Sequence, residues 1–486
     1  MNRTSVPMRP ARLASILPIV LAVAACTSLV EVPVPPQRDV PAAFTEVPVA
    51  GALAAPDLAH WWRAWQDPGL TGYVEQALLA NTDLRIAQAR VREARALATV
   101  AQSARYPTLS AQAGAAHAFG DLREPAIAPD HSPDLDAYAG GVTAAWEADL
   151  FGGRASDAQA ASALADAAQE KLRGTRIAIA ADVAQNYLEA RGLQRRLAVL
   201  ERSLDTLHAM ERYAAARFDA GQAPRADVER VSERIAQREA ERGGLVSQIE
   251  VRERRLAVLS GKPAQEAERL APPGPLRLPA PPSGEVPSGV LERRPDVRAS
   301  AALVRAAAAR LGSAKADLLP RFYLTFVGLD GHLRLDGLPG LGGTGGLVGI
   351  GADLPLFNAG RLRANVDAND ARLQAALALH DKTLLQTLEE VDSAYGVRWG
   401  LDQRRAQLAA AHELAMRHAA QVQQLYEGGQ RTLQDVLDAR VDTIAREDEL
   451  EASSTAAALA TVRLYLALGG GWSADDTAPL NANASP

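Results

Sequence analysis

The residues with the clearest potential for charge-based chemistry lie at the second of two breaks between long helical runs. This segment, YEGGQRTLQDVLD, runs from Tyr426 to Asp438 and includes Arg431 and Asp435. Asp435 and Asp438 are three positions apart, so they share one face of a helix. Copies of this face around one axis would bring like charges together, which attracts cations and raises the pKa of the carboxyl groups. The alternative is a capped helix start with a solvated acidic face, and the spacing leaves both interpretations open.

Motifs for catalysis or metal binding are weak in this sequence. The run GLGGTG at residues 340–345 has the spacing of a dinucleotide-binding loop, but it lies between two predicted strands, which is the wrong context. The sequence contains no nucleophile elbow and no His-x-x-x-His pair, and its eight histidines are scattered. Cys26 is the only cysteine, so a disulfide framework and a thiolate metal cluster are excluded. We predict no catalytic residue, metal site or cofactor, which makes a lipid-anchored hydrolase the weaker alternative.

The N-terminus indicates export and lipid attachment. Residues 1–25 have a basic start and a short apolar stretch, Leu13 to Val23, as in a secretory signal. The sequence VAAC, ending at Cys26, is typical of a bacterial lipobox, in which this cysteine is acylated; an ordinary signal peptide is the alternative. Thr27 follows the cysteine, which indicates sorting to the outer membrane. Cleavage would remove three arginines and no acids, changing the formal charge from −6 to −9, so a nucleic-acid partner is not expected.

Four segments show the alternation of β-strands. They are residues 106–119, 138–151, 321–329 and 346–357. A half-buried soluble sheet and a transmembrane barrel give the same pattern. Four strands cannot close a barrel, and open sheet edges cannot lie in lipid, so a membrane-spanning sheet must be shared by several chains. Two chains would give eight strands with a filled interior, whereas three would give twelve strands with a lumen; the many small residues on the polar face favour the lumen.

Two long helical hairpins, residues 152–259 and 358–468, dominate the remaining sequence. One straight helix from Gly152 to Ala216 would be roughly 95 Å long. The leucines of its second half follow a coiled-coil spacing of four and three, at Leu193, Leu197, Leu200, Leu204 and Leu207. A soluble antiparallel bundle would show the same periodicity. The hairpins and strands form a duplication whose landmarks pair Phe151 with Phe357, Gly153 with Gly360, Gly221 with Gly429 and Gly261 with Gly470.

The duplication divides the chain into segments. We predict an extended, acylated N-terminal segment at residues 26–57, a first repeat at 58–270, a Pro-rich linker at 271–289, a second repeat at 290–470 and a disordered tail at 471–486. The predicted fold class is mixed α and β, with four strands per chain joined to long coiled-coil helices.

These features together resemble the TolC-like outer membrane factors, in particular the lipoprotein (NodT-type) branch that serves resistance–nodulation–division efflux pumps. The resemblance covers nearly the whole mature chain. It depends on an ordered set of short motifs rather than on any one of them. These motifs are WRAWQDPGL from Trp62, NTDL from Asn81, WEADLFG from Trp146, RRPDV from Arg293 and the two hairpin breaks.

The resemblance implies a homotrimer in which a twelve-stranded transmembrane β-barrel continues into an α-helical periplasmic tunnel. It implies a passive, gated exit duct that docks a periplasmic adaptor protein and an inner-membrane pump. Tyr426, Arg431, Asp435 and Asp438 match the family's gate positions on the second hairpin, and Asp227 matches the acidic partner on the first. Pro224 and Arg225 depart from the family pattern beside Asp227. A periplasmic coiled-coil scaffold lipoprotein without a pore is the alternative function.

Overall fold

The computed structural model describes residues 40–45, 58–118, 135–283, 286–335 and 339–472. The predicted signal, Cys26, most of segment 26–57 and most of the predicted tail lie outside these ranges. The described residues belong to two compact units. One unit holds Val91–Ala168 and Ser300–His380, and the other holds Arg38–Arg90, Gln169–Ala299 and Asp381–Pro486.

Helices and strands follow one another in the same order in both halves of the chain. The first half contains a 3-10 turn at Trp61–Trp65 and then α1 (Pro68–Ala80), α2 (Thr82–Ser103), β1 (Thr108–Ala118), β2 (Leu135–Ala148), α3 (Gly153–Asp219) and α4 (Arg225–Leu259). The second contains α5 (Pro287–Arg293), α6 (Pro295–Ala316), β3 (Arg321–Leu335), β4 (Leu341–Asp353), α7 (Arg361–Glu427) and α8 (Leu433–Ala467). No helix within the described ranges is both long enough and apolar enough to cross a membrane.

Three pairs of corresponding helices in the two halves have equal lengths. Helices α3 and α7 each contain 67 residues, and α4 and α8 each contain 35. Their starts are 208 positions apart, whereas α2 and α6, with 22 residues each, start 213 positions apart, as do β1 and β3. Two offsets, 213 and 208, therefore describe the duplication, and the change from one to the other falls between the first strand and the long helix of each half.

Left-handed glycines correct two of the predicted landmarks. Gly152 and Gly360 both have positive φ, 76° and 84°, and are 208 positions apart. Gly152, rather than Gly153, is therefore the counterpart of Gly360. Gly261 likewise corresponds to Gly469, with φ of 76° and 72°, rather than to Gly470. The motif alignment is shifted here because the phenylalanine lies one residue before this glycine in the first repeat and three residues before it in the second. Both turns nevertheless need a residue that adopts positive φ, which favours glycine.

The sheet unit contains four antiparallel strands in the order β1-β2-β3-β4. Strand β3 continues to Leu335, beyond the predicted end at residue 329, because alternation continues through Asp330, His332 and Arg334. Strand β4 occupies Leu341–Asp353 rather than residues 346–357. The start of β4 is difficult to predict because its first residues are mostly glycines, which show no alternation. Its end is set by Pro355, which lacks an N–H group and cannot continue the strand pairing.

The polarity of the two faces of the sheet changes along the strands. On one face, the half nearer the helix ends carries large apolar residues, including Leu109, Trp146, Phe326 and Ile350. The far half of that face carries the polar residues His117, Asp136, Asp330, His332 and Arg334. The opposite face begins with Thr108, Ser110, Thr143 and Thr325 and ends with Leu329, Leu333 and Leu341. The expected apolar-out, polar-in pattern therefore applies to only part of the strand length.

The helical unit is organised around a tryptophan-rich core. Trp61 is 1% exposed, stacks on Tyr465 at 5.4 Å between ring centroids, and meets Trp62 and Trp65 edge to face. Asp67 caps α1 by accepting hydrogen bonds from the N–H groups of Gly69 and Leu70. The WRAWQDP motif thus forms a packed core and a helix start.

Tyr187 connects α3 to this cap. Its hydroxyl donates a hydrogen bond to Asp67 Oδ1 at 2.9 Å. Burial raises the pKa of Tyr187 to about 12. The side chain therefore remains a neutral hydrogen-bond donor throughout the ordinary pH range.

Helix seams pack as the leucine spacing predicts. Leu193 and Leu200 of α3 contact Leu245 and Ile249 of α4 in one buried cluster. A second cluster, nearer the hairpin ends, joins Leu207 and Met210 of α3 to Val231 of α4 and Leu437 of α8. The first hairpin therefore packs against the start of the last helix as well as on itself.

Candidate functional site

Both hairpins end in the same type of turn. Gln222 N–H donates to Arg217 carbonyl at 2.8 Å, and Gln430 N–H donates to Leu425 carbonyl at 2.8 Å. Inside this bond, the N–H group of a glycine with positive φ donates a second hydrogen bond. Gly221 donates to the carbonyl of Phe218, and Gly429 donates to the carbonyl of Tyr426. This is the glycine-terminated helix end that satisfies the last carbonyl groups before the chain reverses. Asp227 and Asp435 therefore occupy equivalent positions after the two turns, 208 positions apart.

The two helices that follow these turns begin differently. Thr432 and Asp435 form a reciprocal capping box at the start of α8: Asp435 N–H donates to Thr432 Oγ1 at 3.2 Å, and Thr432 N–H donates to Asp435 Oδ2 at 2.9 Å. Helix α4 begins after Pro224, which makes no side-chain cap. Asp435 therefore has the structural role that the sequence left open, whatever further part it plays.

Hydrogen bonds from the backbone and hydroxyl of Thr432 lower the pKa of Asp435, with a smaller contribution from Arg431. Because the pKa is lower in the folded than in the unfolded chain, the cap stabilises α8 above the unfolded value of about 3.9 and loses its effect as the pH falls through the folded value. We expect amide protection in the first turn of α8 to decrease below pH about 4, measured by hydrogen exchange. Asp435→Asn should show a smaller change, and an equal change in both proteins would contradict this role.

Within one chain, three predicted gate residues have partners on their own hairpin. Asp227 Oδ1 lies 3.4 Å from Arg230, and Arg431 lies 4.0 Å from Asp435. Tyr426 is 38% exposed at the end of α7. The contact of Tyr426 and Arg431 with Asp227 stays a prediction about neighbouring copies.

Asp438 has a partner on the other hairpin. Its Oδ1 atom lies 3.6 Å from Arg234 Nη1 on α4, and its Oδ2 atom accepts a hydrogen bond from Gln434 at 3.0 Å. Sequence reasoning missed Arg234, because its position beside a coiled-coil seam gave no signal that it faces α8. The structure thus brings one predicted gate carboxylate against a cation that joins the two hairpins.

Among the described residues, this pair is the outermost of four ion pairs found between the first hairpin and α8. The others join Arg202 to Glu447 at 2.5 Å, Arg196 to Asp448 at 2.8 Å and Arg195 to Glu451 at 2.8 Å. We call these four pairs the hairpin ladder. The arginines of the two outer pairs, Arg202 and Arg234, are 51% and 47% exposed, whereas those of the two inner pairs, Arg195 and Arg196, are 11% and 28% exposed. Ion pairs are weaker where water screens them, so the ladder is easiest to open at its outer end.

The motif residues near the sheet also have defined roles. Asp149 accepts hydrogen bonds from the N–H groups of Arg154 and Ala155 and thereby caps α3. Glu147 pairs with Arg154 at 2.8 Å, which raises the pKa of the guanidinium group. The WEADLFG motif therefore fixes the passage from β2 into α3.

Arg294, from the RRPDV motif, fastens the end of α8 in the helical unit. It donates a hydrogen bond to the carbonyl of Ala467 at 3.0 Å and pairs with Asp296 and Glu390 at 2.5 and 2.7 Å. The described residues contain no group of histidine, cysteine or carboxylate side chains arranged to hold a metal ion. The candidate site is thus a set of charged contacts at the hairpin ends and helix junctions.

The class of outer-membrane efflux channels is defined by three features of this chain. They are a four-stranded sheet with two open edges, an apolar band on that sheet, and two long helical hairpins that arose by duplication. The family described as "Outer membrane efflux protein" matches residues 73–262 and 286–470, and the chain belongs to this family. Its fold is the mixed α and β fold of these channels, as the sequence predicted.

Individual relatives agree with this assignment. The chain is 30% identical to the pyoverdine export outer membrane protein OpmQ of Pseudomonas aeruginosa, over 88% of this chain and 90% of the relative. It is 24% identical to the probable outer membrane lipoprotein SilC of Salmonella typhimurium, over 85% and 88%. The structure of the outer-membrane channel OprN superimposes with a TM-score of 0.77 at 29% identity, covering 90% of this chain and 99% of that one.

The protein is therefore an outer-membrane channel component of an efflux system and resides in the bacterial outer membrane. OprN is an outer-membrane channel and OpmQ is an export protein of the outer membrane. The scaffold alternative is thereby set aside.

Proposed function

We propose that three copies of this chain form one gated, passive exit duct, with a shared twelve-stranded barrel in the outer membrane and a helical tunnel in the periplasm. The main support for this proposal is the four-stranded sheet, whose strands pair in the order β1-β2-β3-β4 and leave β1 and β4 as open edges. Unpaired edges are too costly in lipid, whereas three such sheets joined edge to edge close a barrel with a lumen. Repeats 58–270 and 290–470, joined by linker 271–289, are the building units of this wall.

The apolar band defines which part of the sheet contacts lipid. Leu109, Trp146, Phe326 and Ile350 share one face, and Asp330 and His332 begin the polar part of that face farther along. A transmembrane barrel needs an outward apolar band about 25 Å tall. The polar part then lies beyond the lipid, which explains why the opposite face becomes leucine-rich there.

The duct passes substrates supplied by an inner-membrane resistance–nodulation–division pump through a periplasmic adaptor protein. Two relatives support this coupling: one is a pyoverdine export protein and another belongs to a solvent efflux pump. The hairpin ends are the docking region. In each repeat, the turn between the two long helices is the loop that lies farthest from the strands along those helices. A covalent lipid on Cys26 anchors the N-terminus, as the lipobox predicts and the lipoprotein name of SilC supports.

The gate consists of Tyr426, Arg431, Asp435 and Asp438 on the second hairpin and Asp227 on the first. Contacts between Arg431 or Tyr426 and Asp227 of a neighbouring copy hold the hairpin ends together at rest. Because these contacts are exposed, each contributes only about 0–1 kcal/mol, and adaptor binding is sufficient to break them.

We expect Tyr426→Ala combined with Arg431→Ala to raise single-channel conductance in planar lipid bilayers. Arg417→Ala is the matched control, since Arg417 pairs only at 3.8 Å with Glu413 on the same helix and is 64% exposed. Conductance that rises in the double variant but not in the control supports the gate. A parent protein that forms no conducting pore would contradict the duct itself.

A further inference from the structure

The two edges of the sheet carry apolar side chains that no strand covers. Leu109 on β1 is 74% exposed, Ile350 on β4 is 83% exposed, and Leu356, just after β4, is 88% exposed. Their neighbours across β2 and β3 belong to a continuous ladder with strand partners on both sides. An edge of this kind in a membrane protein requires a strand of another chain.

The chain contains its own template for that contact. Strands β2 and β3, which come from different repeats, pair along their whole length, with Thr143 opposite Val327 and Ala148 opposite Phe322. Strand β4 is the counterpart of β2 and β1 is the counterpart of β3. The junction between repeats inside one chain therefore has the same chemistry as the junction between β4 of one copy and β1 of the next.

The offsets of 213 and 208 positions predict which residues of β4 and β1 lie opposite each other. Gly152 and the two helices after it recur 208 positions later, and residues of α2 and β1 recur 213 positions later. The offset of 208 also agrees with strand pairing, because β1·β2 and β3·β4 then have the same register. Thr143 corresponds to Gly351, and Val327 corresponds to Gly114.

We infer that β4 of one copy pairs antiparallel with β1 of a second copy in a single register, with Gly351 opposite Gly114 of the partner subunit. In this register Ile350 lies opposite the partner's Ala115, and Leu356 lies opposite the partner's Leu109. The inference rests on the proposed shared barrel and names the surface through which its copies join.

The faces on which the side chains lie are consistent with this register and exclude a slip of one residue. Ile350 belongs to the apolar face of β4, and Ala115 belongs to the same face of β1, so the apolar band continues across the junction. A slip of one residue would place apolar residues on the polar face. A slip of two residues preserves the faces, and it is the register that the Phe151–Phe357 motif alignment would give, with Gly349 opposite Gly114 of the partner subunit.

Paired cysteines distinguish these two registers. A Cβ added at Gly114, Gly349 or Gly351 meets nothing within 4 Å, so cysteine fits at each position. Directly opposite residues have Cα atoms about 4.5–5.5 Å apart, which suits a disulfide, whereas diagonal neighbours are about 7–8 Å apart. The test variant is Gly351→Cys with Gly114→Cys in the full chain, and the matched control is Gly349→Cys with Gly114→Cys.

After oxidation and detergent extraction, denaturing gels without reductant should show covalently linked copies of the test variant at least tenfold more abundantly than of the control. Crosslinks mainly in the control, or in neither variant of a protein that light scattering shows to be trimeric, would overturn the register while leaving the shared barrel intact. A monomeric particle in detergent would overturn both.

Discussion

Replacing Trp61 with alanine is expected to lower the free energy of unfolding by about 3–5 kcal/mol, the usual cost of removing a fully buried aromatic side chain. Trp61 stacks on Tyr465 of α8 with an angle of 14° between the rings and contacts Trp62 and Trp65 edge to face. The substitution would therefore open a cavity between the start of the first repeat and the end of the last helix. The shift of the guanidinium denaturation midpoint in detergent, at unchanged slope, measures this loss.

Two variants serve as controls for this effect. Trp61→Phe keeps an aromatic ring, and because Trp61 Nε1 makes no hydrogen bond within the described part of the chain, it should lose much less stability. Leu79→Ala removes a side chain that is 79% exposed on α1 and should have a small effect. A loss at Leu79 as large as that at Trp61 would contradict the assignment of the core.

Reversing the charge of Arg234 is expected to favour the open duct by about tenfold. An exposed ion pair such as Arg234–Asp438 contributes about 0.5 kcal/mol. Three copies in one trimer would contribute about 1.5 kcal/mol, which corresponds to a factor of about ten in the ratio of closed to open states. Arg234→Glu replaces attraction with repulsion at the outermost rung of the hairpin ladder, so open probability in planar bilayers should increase by at least this factor.

The compensating variant tests whether the pair itself is responsible. Arg234→Glu with Asp438→Arg restores the opposite charges across the two hairpins and should return the open probability toward that of the parent. Arg225→Glu makes the same charge change at the same tip, but Arg225 pairs with Glu229 on its own helix, at 3.1 Å. An equal increase in the Arg225 variant would show that local net charge, rather than the ladder, controls opening.

Much of the fold follows from the sequence because its signals are periodic. The leucine spacing from Leu193 to Leu207 predicts the seam that α4 covers, and the alternation from Tyr138 predicts β2. Glycines at the hairpin breaks predict the turns, since Gly221 and Gly429 adopt conformations that other residues avoid. These features are local, so a single sequence carries them.

The remainder depends on contacts between distant segments. Motif matching pairs Phe151 with Phe357, yet backbone geometry pairs Gly152 with Gly360, because side-chain identity changed while the turn did not. Nothing in the sequence around Arg234 indicates that it pairs with Asp438, which is about two hundred positions away in sequence. The spacing of Asp435 and Asp438 is compatible with a helix cap and with an acidic ring, and the hydrogen bonds between Asp435 and Thr432 establish the cap.

The central claim is that one chain supplies only part of a closed wall. The most direct measurement is the protein mass of the detergent-extracted particle, determined by light scattering with the contribution of the detergent subtracted. Our account predicts a mass of three mature chains. A particle containing a single chain would contradict it, since its β1 and β4 edges would then have no strand to complete the barrel.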